Sequence, residues 1–258
     1  MPLNTAYDAI ADRWEASAGP IYEPLARALV ASSPIALAGK SVLDVGCGTG
    51  AIARSAAASG ARVAGADRSL SMLHDAHGYV CPRVAGDILS LPFLDGAFDV
   101  AIAGFVINHV PPVSGLAELA RVVGHCGAVL ASAWERGVVD PLKSAIEGVL
   151  RSYGWVPPDW WQLIQTTVER ITGSPSTLAR AANDAGLHDV CCEIVRPSTG
   201  ITDADVVVAY RLSLPHIGSW FAELHPDAKE VVVREAREAA QPLVESWRPG
   251  MVVVIGLV

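Results

Sequence analysis

Val42-Leu43-Asp44-Val45-Gly46-Cys47-Gly48-Thr49-Gly50 is the stretch on which the reading of this chain turns. Val42 to Val45 are apolar but for one acid and β-branched at both ends, as a short buried strand is. The glycines that follow permit a tight turn and a close backbone approach to a ligand. Residues 51–59 read as a helix, and Gly60 stands where a terminating glycine belongs. Strand, glycine turn and helix start together make a nucleotide-sized site at the carboxyl end of a strand.

Two ligand classes compete for this turn. Gly46, Gly48 and Ala51 satisfy the G-x-G-x-x-G/A spacing of a dinucleotide fold. Asp44 argues for the other class, because a carboxylate two residues before the first glycine would repel a pyrophosphate. It suits a nucleoside that carries an ammonium and a sulfonium, namely S-adenosylmethionine. With Asp44, Gly46, Gly48 and Gly50 in the four fixed positions of D-x-G-x-G-x-G, the stretch resembles the first motif of the class I S-adenosylmethionine-dependent methyltransferases. Further segments carry the likeness onward. Asp67-Arg68-Ser69-Leu70-Ser71-Met72-Leu73 resembles the family's D-x-S-x-x-M-L. Gly86-Asp87 with Leu91-Pro92-Phe93, then Asp95-Gly96-Ala97-Phe98-Asp99, is similar to the branch that holds ubiquinone, menaquinone and natural-product enzymes.

The resemblance covers residues 36–134 by motif, and 175–198 and 249–258 by pattern. It implies an α/β fold: a Rossmann-like seven-stranded, mostly parallel sheet with helices on both faces and an antiparallel last strand. It also implies a single domain over 1–258, with helical cap elements at about 1–33, 135–174 and 200–247.

Outward from the glycine turn, residues 62–66 read as a second strand ending at Asp67, an acceptor-only group suited to both ribose hydroxyls. Ser69 is placed to cap the next helix, and Met72 to pack on the adenine ring. By resemblance Asp87 accepts from the adenine amino group and the Ile88 amide meets a ring nitrogen. Asp99 reads as structural. Residues 98–103 read as the fourth strand, which empties into Gly104-Phe105 and Asn108-His109 where the transferred methyl should lie. Tyr7, Asp8, Ala11 and Trp14 are similar to the segment that lays an aromatic over the cofactor's methionine end. The cofactor-binding set is therefore Tyr7, Trp14, Asp44, Gly46, Cys47, Gly48, Gly50, Asp67, Arg68, Met72, Asp87, Ile88, Gly104 and Phe105. His109 is the candidate catalytic residue, and no metal ligand set is expected.

Before the glycine turn, residues 3–31 read as two amphipathic helices divided at Gly19-Pro20. The aromatic residues Trp155, Trp160 and Trp161, with Trp220 and Phe221, fall in the two insertions that would roof the strand ends. The net charge of −8 opposes broad nucleic-acid binding, and Asn108-His109-Val110-Pro111 departs from the N-P-P-Y of amino-methylating DNA enzymes. The five cysteines show no metal spacing and fit a reduced, cytoplasmic setting. No signal peptide and no membrane-length apolar run is read. The expected activity is methyl transfer from S-adenosylmethionine to O, N or C of a small apolar or aromatic metabolite, such as a secondary metabolite. The alternatives are a cofactor-binding protein on the same fold without transfer, and an NAD-linked oxidoreductase. The partner expected is a small-molecule substrate, with no nucleic acid and no membrane; the sequence is silent on oligomeric state.

Overall fold

The computed structural model describes residues 11–75 and 81–258. Helix α1 (Ala11–Ala31) precedes β1 (Ser41–Val45), α2 (Ala51–Ala58), β2 (Arg62–Asp67), α3 (Leu70–Asp75), β3 (Arg83–Ala85) and β4 (Phe98–Gly104). A single 3-10 turn, Ile107–His109, leads to α4 (Pro112–Val122) and β5 (Val123–Trp134). Helices α5 (Pro141–Ser152), α6 (Asp159–Thr166), α7 (Val168–Thr172) and α8 (Pro175–Asp184) come before β6 (His188–Val195). The last stretch is α9 (Ala204–Ser213), α10 (Pro215–Glu223), α11 (Pro226–Val244) and β7 (Met251–Leu257).

The strands form one seven-stranded sheet in the order β3-β2-β1-β4-β5-β7-β6. All pairs are parallel except those of β7, which runs antiparallel to both β5 and β6. This is the Rossmann-like architecture expected. Successive residues of a strand face opposite sides, and both sides here are covered. Val42, Val100, Leu130 and Val253 join the core under α1, α2, α5, α9 and α11. Leu43, Ala101, Val129 and Val252 join the core under α4 and α8. A sheet buried on both faces needs continuous apolar strands, which is why Asp44 stands out within β1. The strand order reverses beside β1, whose neighbours are β2 and β4, and there the carboxyl ends open a crevice.

Asp99 is structural, as expected: its Oδ2 accepts from the Ser41 amide (2.8 Å) and hydroxyl (2.7 Å), and Lys40 adds an ion pair at 3.3 Å. These contacts hold its carboxyl below the usual range. One expectation is corrected. Gly19-Pro20 does not divide the N-terminal segment, because α1 runs unbroken through Gly19, Pro20 and Pro24. A proline inside a helix costs ~3 kcal/mol. Ala18, Ile21, Leu25 and Leu29 lie on one face and are at most 1% exposed, and burying each large aliphatic gains ~1.5–3 kcal/mol. The packed face outweighs the two prolines.

Candidate functional site

The glycine turn lies between β1 and α2. Gly46, Gly48 and Gly50 all have positive φ (66°, 47° and 93°). At Gly46 a Cβ would also stand 2.2 Å from Val106 Cγ2, so both the dihedral and the space require glycine. Gly48 has nothing within 4 Å of its Cβ position. Its backbone is bare toward the cleft above it, where a nucleoside can approach closely.

Arg54 of α2 ties the turn to α1. It donates to the Thr49 carbonyl (2.8 Å), to Glu15 (2.9 Å) and to Glu23 (3.1 Å). This clasp sets α1 across the cleft, so that Trp14, Tyr22, Leu25 and Leu29 form its roof. None of the roof residues but Trp14 was singled out from sequence for the site, because the proline-glycine pair disguised the helix that carries them.

Asp44 is fully buried at the floor of this cleft. Its Oδ2 accepts from the Ala53 amide at the start of α2 (3.0 Å), and its Oδ1 has no hydrogen-bond partner among the described residues. Burial pushes its carboxyl up to about 7, against the Ala53 bond that lowers it, with Asp67 adding repulsion. A buried carboxylate oxygen without a donor is costly, and a cationic ligand supplies what Oδ1 lacks. The residues present therefore fit a nucleoside with an ammonium and do not fit a pyrophosphate.

Asp67, at the carboxyl end of β2, accepts from the Gly48 amide (2.8 Å) and the Ser69 amide (2.9 Å). Burial raises its pKa, with those amides opposing. Each oxygen keeps a second lone pair for a ligand hydroxyl. Ser69 caps α3 as expected, accepting from the Met72 amide at 3.1 Å. Met72 is buried and lines the cleft with Arg68, Gly86 and Ile88. Asp87 is half-buried, and its Oδ1 accepts from Leu89 in a local turn (2.9 Å). Cys47 lines the cleft, where burial pushes its thiol well up and leaves it inert.

The structure thus gathers Trp14, Asp44, Gly46, Cys47, Gly48, Asp67, Arg68, Met72, Ile88, Gly104 and Phe105 around one cleft. Gly50 and Asp87 stand at its border rather than in its lining; Gly50 shapes the turn as residue before α2, and Asp87 shapes the loop that presents Ile88. Tyr7 lies outside the described residues.

A second cavity of about 730 Å³ lies beyond the first, within the range of small-molecule sites. Tyr22, Phe105 and His109 line both, so the wall between them is one side chain thick. Phe105 has φ 58°, a left-handed backbone rare for a bulky residue, and its amide donates to the Ser132 carbonyl (3.0 Å). That bend aims its ring between Tyr22 (centroids 5.3 Å apart) and Trp134 (4.2 Å). His109 Nε2 stands 3.3 Å from Asn108 Nδ2. His109 does not keep the ordinary imidazole value. Burial, then Arg68, lowers it to about 4, so the ring is neutral near pH 7.

Trp160 and Trp161 also line the second cavity, as a roof over the strand ends requires. Trp161 stacks on His216 at 4.1 Å with a 7° tilt. Trp155 instead is buried and donates its Nε1 to the His216 carbonyl (3.1 Å), and Trp220 and Phe221 pack against the core. The charged groups of this cavity, Lys143 and Glu147 of α5 and Arg211 of α9 among them, had no sequence signature because the two helices that bring them together are far apart in the chain.

A model of a methyltransferase domain matches residues 43–131. The chain is 34% identical over 161 residues to a demethylmenaquinone methyltransferase of Corynebacterium kroppenstedtii, covering 59% of this chain and 69% of that protein. It is 33% identical over 186 residues to a ubiquinone biosynthesis O-methyltransferase of Thiobacillus denitrificans, covering 68% and 74%. Among solved structures, Haemonchus contortus phosphoethanolamine N-methyltransferase 2 in complex with S-adenosyl-L-methionine superposes with a TM-score of 0.57 at 17% identity, over 98% of this chain and 56% of that one.

Proposed function

Because the chain belongs to the class I S-adenosylmethionine-dependent methyltransferases, we propose that it methylates a small aromatic metabolite held in the second cavity, at an O, N or C atom brought to the wall beside His109. The wall of Tyr22, Phe105 and His109 shared by the two cavities is the observation that carries this reading. One cavity offers the acids and glycines that suit the cofactor, the other an aromatic chamber, and the two meet at the carboxyl end of β4. The quinone-type acceptors in the names of the two relatives fit a chamber walled by Trp134, Trp160, Trp161 and Tyr210. A place in secondary metabolism is compatible with the same chamber.

The cofactor is S-adenosylmethionine, which supplies an electrophilic methyl when bound. In this reading Asp44 attracts its ammonium, Asp67 takes the ribose hydroxyls, and Met72, Ile88 and the Asp87 loop hold the adenine. Trp14 covers the methionine end. The second cavity orients the acceptor, and α1 with residues 135–174 and 200–247 excludes water as caps of one domain. Such positioning supplies ~7–11 kcal/mol of a barrier. His109, neutral at working pH, accepts a hydrogen bond or a proton from the acceptor. No described helix is long and apolar enough to cross a membrane, and a small molecule is the partner this reading requires.

The test is incubation with methyl-deuterated S-adenosylmethionine and a small-molecule extract. Mass spectrometry should find a deuteromethylated aromatic product together with S-adenosylhomocysteine. Cofactor binding without any labelled product refutes transfer and leaves a cofactor-binding protein.

A further inference from the structure

The second cavity is not an evenly aromatic chamber. Along its lining, Arg136 pairs with Glu169 (3.2 Å) and Arg196 with Glu135 (2.5 Å). That leaves Lys143, Arg211 and Arg248 with Glu147 and Asp140, while Glu169 also acts on Lys143 through its charge. Glu147 is itself ringed by three cations: Arg211 at 2.5 Å, Arg151 at 3.0 Å from behind the wall, and Lys143 at 3.9 Å. Asp140 is taken up by the Lys143 amide (3.0 Å) and Trp247 Nε1 (3.0 Å). Along the lining the cations exceed the carboxylates by one, in a chain whose net charge is −8, and Arg151 adds a positive charge from behind the wall.

The donors at this end are under-used. Arg211 is buried, and among the described residues its guanidinium donates only through Nη2, to Glu147; its Nε is buried without an acceptor. The Lys143 ammonium has Glu147 at 3.9 Å and no closer acceptor among the described residues. Burial, then the Arg211 charge, lowers its pKa. Beside them His216 is 5% exposed, lines the cavity, and stacks on Trp161. An uncompensated positive charge away from water is expensive, and guanidinium with ammonium is the donor set that recognises an oxyanion.

We propose that the Lys143–Arg211 end of the second cavity is a subsite for an acidic group on the acceptor, a carboxylate or a phosphate, with the Trp161–His216 stack beneath the ring that carries it. The inference rests on reading this cavity as the acceptor chamber. It makes the acceptor an aromatic acid or phosphate ester with its nucleophilic atom directed toward the wall and its anion toward α5 and α9.

Calorimetric titration of the whole chain with inorganic phosphate, and separately with benzoate, tests it at constant ionic strength with and without S-adenosylhomocysteine. At least one anion should bind saturably. Lys143→Gln and Arg211→Lys should each weaken it about 10- to 150-fold, the loss of a charge-assisted hydrogen bond, with S-adenosylhomocysteine affinity unchanged. Phosphate alone identifies a phosphorylated acceptor, benzoate alone a carboxylic acid, and both together a general oxyanion subsite. If Arg211→Lys does not fold, Lys143→Gln decides. The proposal is overturned if neither anion saturates the native chain, or if the variants bind as it does. Anion binding without methyl transfer to any acceptor would overturn the proposed function and leave the subsite. Transfer to neutral acceptors without anion binding would do the reverse.

Discussion

Replacing Asp44 with Asn should make the cofactor-free protein more stable and its cofactor binding weaker. Asp44 is raised to about 7 in the folded chain by burial, against ~3.9 for an unperturbed aspartate. A raised carboxyl pKa stabilises the folded state below the unfolded value, and that stability is lost as pH rises through the folded one. Above about pH 7 the folded chain holds an ionised, fully buried carboxylate with one oxygen unpartnered among the described residues. The difference of roughly three units corresponds to a penalty of ~4 kcal/mol. Asn keeps a carbonyl for the Ala53 amide and carries no charge, so Asp44→Asn should raise the melting temperature at about pH 8 and do little at about pH 4. Cofactor binding moves the other way. Only ionised Asp44 attracts an ammonium, so affinity of the native chain for S-adenosylmethionine should fall about tenfold from about pH 8 to about pH 6. The variant should be flat over that range and weaker at the upper end by ~1.5–3 kcal/mol. Thermal denaturation without ligand, and calorimetry with S-adenosylmethionine at each pH, measure both. A variant less stable than the native chain at pH 8, or native binding indifferent to pH, refutes the reasoning.

Asp67→Ala should cost on the order of 1.5–3 kcal/mol in S-adenosylhomocysteine affinity, and equal affinity would remove the ribose assignment. His109→Gln should lower turnover ~10²–10⁴-fold and abolish an acid limb near pH 4 if the imidazole takes the acceptor's proton. A few-fold loss with an unchanged profile makes His109 a positioning residue. Gly46→Ala should destabilise the fold by ~1–3 kcal/mol through its collision with Val106 and its positive φ. Adding Val106→Ala should recover part of the loss in a denaturant melt. Residues 135–174 should gain hydrogen-exchange protection when cofactor and acceptor are both bound. Equal protection with and without ligands would count against a closing cap.

The half of the chain before residue 135 was legible because its chemistry is local. Asp44 interrupts an otherwise apolar strand, and the glycines follow it within six residues. Asp67 closes a strand, and Ser69 caps the next helix from three residues away. Helix α1 was misread where a local breaker met a non-local force, since Pro20 and Pro24 are held in helix by a core assembled from distant elements. The second cavity was hidden for the same reason. Glu147, Glu169 and Arg211 meet only after α5, α7 and α9 have packed, and no spacing in sequence reports that. His109 was found by its place after β4, but its altered basicity depends on burial that position alone does not show.

The placing of β7 between β5 and β6 also dictates the order in which the sheet can be assembled. Strands β1 to β5 can pair using residues 41–134 alone, but β6 has no neighbour in the sheet except β7. Residues 188–195 must therefore wait for residues 251–257 before they dock, and α9, α10 and α11 lie between the two. Pairing β5 with β7 closes a loop of more than a hundred residues, a slow kind of contact, and until it forms β5 keeps an open edge able to pair with another chain. The half of the molecule that houses the second cavity is thus locked by the last strand to arrive. Weakening β7 should expose its chamber and its aggregation-prone edge together, while the glycine turn and its acids stand on a half-sheet already paired.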